Sequence, residues 1–142
     1  IQQIASSISL DMVQLHGQEP VADCIELRRS GLKVVKVFSV GEDFDFGLME
    51  PYVNDVNYFL FDTKGKYHGG NSIPFDWEII ENYPFRIPFF LGGGIGPENI
   101  DLVKQIKNPY LYALDANSRL EASPGLKDPE KVKLFRTKFD RL

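Results

Sequence analysis

Cysteine is almost absent from this chain: Cys24 is the only one in 142 residues. A single thiol excludes an internal disulfide and fits a reducing compartment, so the cytoplasm is the expected location. Histidine is nearly as scarce, with His16 and His68 in separate segments, so no zinc-ligand spacing exists and no metal is implied. No apolar run approaches the roughly 18 to 20 residues that a membrane-spanning helix needs. Ile1-Gln2-Gln3-Ile4-Ala5-Ser6-Ser7 has neither the basic start nor the apolar stretch of a signal peptide. Positive charge is not in excess either, with a formal net charge of −4 and Lys and Arg scattered along the chain. Nucleic acid and membrane are therefore not expected partners, while a small anionic ligand held locally is still allowed. An initiator methionine is also lacking, and Ile1, Ile4 and Ala5 read as the middle of a helix, so the expectation is a processed or truncated chain.

What the sequence does contain is an alternation. A hydrophobic content of 43% over 142 residues suffices for one core, and residues 1–142 are expected to form one compact unit. Met12-Val13-Gln14-Leu15-His16 reads as a strand. Glu19-Pro20 then opens a helix whose Val21, Cys24, Ile25 and Arg28 share one face, ending at Ser30-Gly31. Val34-Val35-Lys36-Val37-Phe38 is β-branched and strand-like, and residues 42–54, interrupted by Gly47 and Pro51, read as a short, broken helix. Tyr58-Phe59-Leu60-Phe61 is a continuous apolar run closed by Asp62, as in a strand buried on both faces. A polar, glycine-rich loop over residues 63–72 follows, and Asp76 is placed to cap a helix that Phe75 and Trp77 dock onto the sheet. Residues 87–91 form the next expected strand, residues 97–106 a helix, and residues 110–114 a strand closed by Asp115. Asp128-Pro129-Glu130 caps a final helix carrying Val132, Leu134, Phe135 and Phe139.

Strands alternating with helices predict right-handed crossovers and a parallel sheet, hence an α/β fold. No internal repeat marks a solenoid. The polar and glycine-rich positions all fall just after strands, so a parallel sheet gathers them on one edge, where α/β proteins and barrels place their sites.

Leu91-Gly92-Gly93-Gly94-Ile95-Gly96-Pro97-Glu98-Asn99 follows an apolar strand and leads towards a helix. Its glycines allow positive φ and leave backbone N–H groups uncovered, which suits a phosphate as readily as a packing turn. Asp62, at a strand end facing a glycine loop, reads as a partly desolvated general acid or as a carboxylate accepting loop N–H bonds. Asp115-Ala116-Asn117-Ser118-Arg119 offers small polar groups that either hold an anion through N–H groups and the Ser118 hydroxyl or simply close a turn. His16 either donates to a substrate oxygen or bonds a neighbouring carbonyl, and His68 presents a weaker version of the same choice. Cys24, on an apolar helix face, reads as a buried thiol.

Taken together, Val13-Gln14-Leu15-His16-Gly17, Phe61-Asp62-Thr63-Lys64, Gly69-Gly70, Phe75-Asp76-Trp77, Gly93-Gly94 with Pro97-Glu98-Asn99, and Ser123-Pro124-Gly125 with Lys127-Asp128 resemble the phosphoribosylanthranilate isomerase family of tryptophan biosynthesis, in order and spacing nearly from end to end. The resemblance implies a (β/α)8 TIM barrel that performs a cofactor-free Amadori rearrangement on a small sugar-phosphate substrate. By position it makes Asp62 the general acid, Gly93, Gly94, Asn117 and Ser118 the phosphate-binding groups, and His16 and Asp115 substrate-binding residues. Two departures accompany it. Nothing matches the family's general-base cysteine, in a Cys-Gly motif after the first strand, and Val13 aligns with the fourth strand. The expected fold is thus an incomplete barrel holding about strands 4 to 8, inactive by itself. Its open edges predict poor stability or self-association of the chain alone. In the loops, Asn71-Ser72-Ile73-Pro74 and Ala116-Asn117-Ser118-Arg119 replace the family's usual small-residue patterns. A reading of a different class is a non-catalytic phosphate-binding half-barrel completed by another chain.

Overall fold

The computed structural model describes residues 1–41, 43–63 and 77–141. Five segments rich in β-branched and aromatic residues become parallel strands: β1 (Met12–Leu15), β2 (Lys33–Val40), β3 (Tyr58–Thr63), β4 (Phe89–Gly92) and β5 (Leu111–Leu114). They lie side by side in chain order within one five-stranded sheet. An order without reversal has no switch-point crevice of the doubly wound kind; it is the order of a (β/α) barrel, whose sites lie at the C-terminal strand ends.

Alternate residues along each strand face opposite sides. On the outer side, Val34, Val40, Phe59, Phe61, Phe89 and Leu91 are all 0% exposed and pack beneath the helical segments. From α2 (Val21–Arg29) Cys24 and Leu27 complete this core, and from α3 (Glu78–Glu81) Ile80 does, with Trp77 beside it. Tyr83 is gripped edge-on by Phe61 and Phe89, with ring centroids 5.3 and 5.1 Å away, and its hydroxyl donates to the Ile87 carbonyl at 2.8 Å. On the inner side a smaller cluster of Val35, Val37 and Leu60 is joined by Met12, Tyr58 and Phe90. The strand register is tied at the base of the sheet by Asn57, whose amide oxygen accepts from Val34 N–H at 2.9 Å while its own N–H returns to the Val34 carbonyl at 2.9 Å.

Several local expectations are corrected. Pro20 caps α2 from outside rather than occupying its first turn, and the buried stripe of that helix is Cys24 and Leu27, with Arg28 on the exposed side reaching the Asn54 carbonyl at 2.6 Å. The helix expected over residues 97–106 is a 3-10 segment, Ile100–Gln105, because the Asn99 side chain bonds the preceding turn and delays the helix. The short, broken helix expected within residues 42–54 is a 3-10 segment, Phe46–Tyr52, with Pro51 inside it. A small antiparallel pair, β6 (Glu121–Ser123) and β7 (Leu126–Lys127), was not legible as strands. Ile1 is the N-cap of the short α1 (Gln2–Ser7), which contains Ile4 and Ala5. The final helix α4 (Pro129–Phe139) is capped as expected, Asp128 Oδ1 accepting from Glu130 N–H at 2.9 Å, but Val132, Leu134 and Phe139 are exposed and only Phe135 reaches the core. The glycine loop, His68, Phe75 and Asp76 lie outside the described residues. Among the described residues no helix is long and apolar enough to cross a membrane.

Candidate active site

The C-terminal ends of the strands open into a cleft of about 230 Å³. From β1 and the residue just after it come Gln14 and His16, from β3 Leu60 and Asp62, and from the two turns that follow β4 and β5 come Gly93, Gly94, Asp115, Asn117 and Ser118. His68 aside, which lies outside the described residues, every site residue expected from the sequence lines one cleft. Gln14 and Leu60 were missed, although the two-residue period of a strand places them on the same face as His16 and Asp62.

On one wall His16 faces Asp62, with Nε2 3.6 Å from Oδ2 and side chains 59% and 39% exposed. That separation is beyond a good hydrogen bond but short enough for mutual electrostatic influence, and it leaves room for a ligand oxygen to engage either group. On the neighbouring strand, where Gly92 pairs in register with Asp62, the β4 turn presents two successive residues of positive φ, Gly93 at 83° and Gly94 at 71°. Only glycine takes that pair of conformations without strain, and the resulting concavity of backbone is the kind that holds anions. Asn99, nearly buried, locks it: its amide oxygen accepts from Gly96 N–H at 2.8 Å and its NH2 donates to the Gly94 carbonyl at 2.9 Å. A side chain at Gly96 has no room, since its Cβ would lie 2.7 Å from Arg119 Cβ.

The β5 turn meets the β4 turn here. Asp115 N–H donates to the Leu91 carbonyl at 2.7 Å, which carries the strand ladder to its last residue. Ser118 then starts a three-residue 3-10 turn, Ser118–Leu120. Arg119 is directed away to Glu98, with an Nη1 to Oε1 distance of 2.6 Å. Burial tends to raise the Glu98 carboxyl, yet the hydrogen bond and charge of Arg119 outweigh it and hold Glu98 below the ordinary glutamate value. Asn117 is gripped by Lys127, whose ammonium donates to the Asn117 carbonyl at 3.0 Å, to its side-chain oxygen, and to Glu121 Oε1 at 2.8 Å. Lys127 belongs to a motif of the family resemblance, but its place beside Asn117 was not readable from the sequence, because its partners lie 10 and 6 residues away. Cys24 lies on the helix side of the sheet and is fully buried, and burial pushes its thiol up. Among the described residues no group of three or more His, Cys, Asp or Glu is arranged to hold a metal ion.

Comparison with known proteins agrees with this geometry. A family model described as N-(5'phosphoribosyl)anthranilate (PRA) isomerase matches residues 1–138. The N-(5'-phosphoribosyl)anthranilate isomerase of Parabacteroides distasonis is 41% identical over 131 residues, covering 92% of this chain and 59% of that protein. Its counterpart in Phocaeicola vulgatus is 37% identical over 131 residues, covering 92% of this chain and 64% of that protein. The crystal structure of phosphoribosyl anthranilate isomerase from Thermotoga maritima superposes with a TM-score of 0.81 at 34% identity, covering 99% of this chain and 66% of that one. The chain thus spans about three-fifths of the length of these curated relatives.

Proposed function

This chain belongs to the N-(5'-phosphoribosyl)anthranilate isomerase family, and we propose that it carries the general acid and the phosphate cradle of an Amadori rearrangement in tryptophan biosynthesis. The substrate is phosphoribosylanthranilate and the product is the open-chain carboxyphenylamino-deoxyribulose phosphate. The observation that supports this most is the joint presence of Asp62, the Gly93–Gly94 concavity and the Asn117–Ser118 turn around one cleft. A phosphate seated in the cradle places the sugar beside the neighbouring strand end, where Asp62 acts as the acid. Protonated Asp62 gives its proton to the ribose ring oxygen as the bond from that oxygen to the anomeric carbon breaks, and the anilinic nitrogen lone pair forms the iminium. A base then takes the proton from the neighbouring carbon, the electron pair passes to the nitrogen, and the resulting enolamine tautomerises to the ketone. His16 and Asp115, which line the same cleft, orient the sugar hydroxyls. No cofactor enters the scheme.

None of the described cleft residues is assigned the role of base. We assign it to a cysteine after the first strand of a complete barrel, of which β1 to β5 are strands four to eight and residues 1–142 are part of one domain. One exposed ring on the inner side supports this: Tyr112, in β5, is 63% exposed although it packs against Phe90 and Tyr58. The chain alone is then inactive and prone to self-association through its sheet edges, and its place of action is the cytoplasm.

The decisive experiment is a fluorescence-decay assay of phosphoribosylanthranilate on the full-length protein, with Asp62→Asn beside wild type. Positioned acid catalysis predicts a kcat loss of at least about a hundredfold with KM little changed. Unchanged turnover removes Asp62 as the acid. An upstream strand ending in Cys-Gly supports the enzyme over a non-catalytic phosphate-binding half-barrel.

A further inference from the structure

Lys36 is a charged residue in the wrong place for a simple packing role. It lies in the middle of β2, on the helix-clad side with Val34 and Phe38, and is 3% exposed. Burying an ammonium is costly unless its donors are engaged, and a methionine of similar reach would fill the space without that cost. The donors of Lys36 are engaged: Nζ donates to the Gly17 carbonyl at 2.7 Å and to Glu19 Oε2 at 2.8 Å. It also lies over the rings of Phe38 and Tyr52, 5.8 and 5.9 Å from their centroids.

The partner carboxylate is equally committed. Both oxygens of Glu19 accept from Gly17 N–H, each at 3.0 Å, and the Tyr52 hydroxyl donates to the Glu19 carbonyl at 3.0 Å. The Lys36–Glu19 pair thus takes up both backbone polar groups of Gly17, the residue directly after His16. Gly17 accommodates this tight return because a Cβ there would lie 2.9 Å from Glu19 Oε1. His16, by contrast, is largely exposed, and Asp62 is its charged neighbour, so the backbone beneath it sets where its ring points.

We propose that the Lys36–Glu19 pair is a positioning device of the site: from the far side of the sheet it clamps the corner after β1 and so holds His16 against Asp62 at the cleft. The proposal rests on the reading of Asp62 as the general acid. Lys36 and Glu19 touch no substrate. They act through the Gly17 peptide, and their effect is felt where His16 and Asp62 share a ligand oxygen. An error of about 1 Å at such a place costs up to a hundredfold in rate.

The test uses the full-length protein and the variants Lys36→Met and Glu19→Gln, with Leu27→Ala as a core control that weakens the same helix without touching the clamp. Met keeps the volume at position 36, and Glu19→Gln keeps a hydrogen-bonding group, so at least one variant is expected to fold. The expected result is a kcat loss of about tenfold to a hundredfold for Lys36→Met, with KM within about twofold. In a His16→Ala background the same substitution should cause no further loss, because groups acting through one another are not additive. Independently of turnover, the NMR signals of the His16 ring should move in Lys36→Met and Glu19→Gln but not in Leu27→Ala. An additive loss in the His16→Ala background, or His16 signals at their wild-type positions, overturns the positioning role. Absence of turnover in the wild type instead defeats the isomerase reading, while the His16 signals still decide whether the clamp holds the ring.

Discussion

The two faces of the sheet are made by alternate residues of the same strands, yet they carry different kinds of side chain in different states of completion. On the outer face of β3, Phe59 and Phe61 are fully buried among rings and aliphatic groups from the helical segments. On the inner face of the same strand, Tyr58 is half-buried, Leu60 sits in a small cluster, and Asp62 opens onto the cleft. The outer face is therefore finished by this chain, whereas the inner face grades from apolar at the base to polar at the strand ends. That gradient is the division of labour of a barrel, where stability is concentrated at the bottom and chemistry at the top. Tyr58 and Tyr112, with ring centroids 5.1 Å apart, mark the less covered base of the inner face. Burial and then the neighbouring Tyr112 hydroxyl raise the pKa of the Tyr58 phenol above its ordinary value.

The largest effect that can break this contrast is a cavity on the finished side. Phe61→Ala removes a ring that is 0% exposed, and such truncations cost about 3–5 kcal/mol. Urea denaturation of the 142-residue chain should show that loss or no folded baseline at all. Tyr112→Ala on the unfinished side should cost only about 0.5–1.5 kcal/mol in the same chain, the usual worth of aromatic stacking without full burial. In the full-length protein the proposed barrel-closing strands would bury the ring, so the Tyr112→Ala cost should rise toward about 3–5 kcal/mol. Equal costs for Tyr112→Ala in both backgrounds would show that nothing covers the inner face, and with it the barrel assignment would fall.

The same contrast explains which parts were legible from the sequence. The outer-face pattern is local: runs such as Tyr58-Phe59-Leu60-Phe61 and the β-branched segment around Val34 announce buried strands, and all five were found. The residues at the cleft were legible for a related reason. In a parallel sheet the positions just after strands must converge, so Asp62, Gly93 and Gly94 could be assembled with no knowledge of contacts. What failed to show were elements decided by side-chain partners distant in sequence or by hydrogen bonds that compete with helix formation. Asn99 spends its amide on the Gly94–Gly96 turn, which converts an amphipathic helix pattern into a 3-10 segment. Lys36 reads as the one polar interruption in a strand, and only the return of Glu19 17 residues earlier reveals it as buried and paired. Lys127 is hidden in the same way behind Asn117 and Glu121.

An effect of middle size probes the cradle between the faces. Gly94 has φ +71° and a Cβ there would lie 3.5 Å from Arg119 Nε, an ordinary contact. Gly94→Ala is therefore opposed by backbone strain of about 1–2 kcal/mol and not by crowding. Strain of that size should lower stability by the same amount if the turn is kept, or weaken phosphate binding about tenfold if the turn relaxes. Inhibition by inorganic phosphate and denaturant unfolding, measured on one sample, separate the two outcomes. A variant unchanged in both would show that the positive φ is not required.

The smallest effect concerns pH and tests whether the helix-clad side contains the electrostatic clamp described above. Burial raises the Glu19 carboxyl, but the Lys36 hydrogen bond, the backbone bonds and the Lys36 charge together bring it below its ordinary value of 4.5. A carboxyl whose folded value is depressed binds its proton more readily in the unfolded chain. Its contribution to stability is accordingly complete above about 4.5 and is lost as pH falls through the lower folded value. Acidification across that window should lower the Tm of wild type by a few degrees more than that of Glu19→Gln, which has no proton to take up. Other carboxylates contribute to the acid limb in both proteins, so the difference between the two curves isolates Glu19. Parallel curves would mean that Glu19 is no better stabilised as an anion in the fold than in the unfolded chain, and the clamp would then owe its geometry to packing around Lys36 and not to the charge pair.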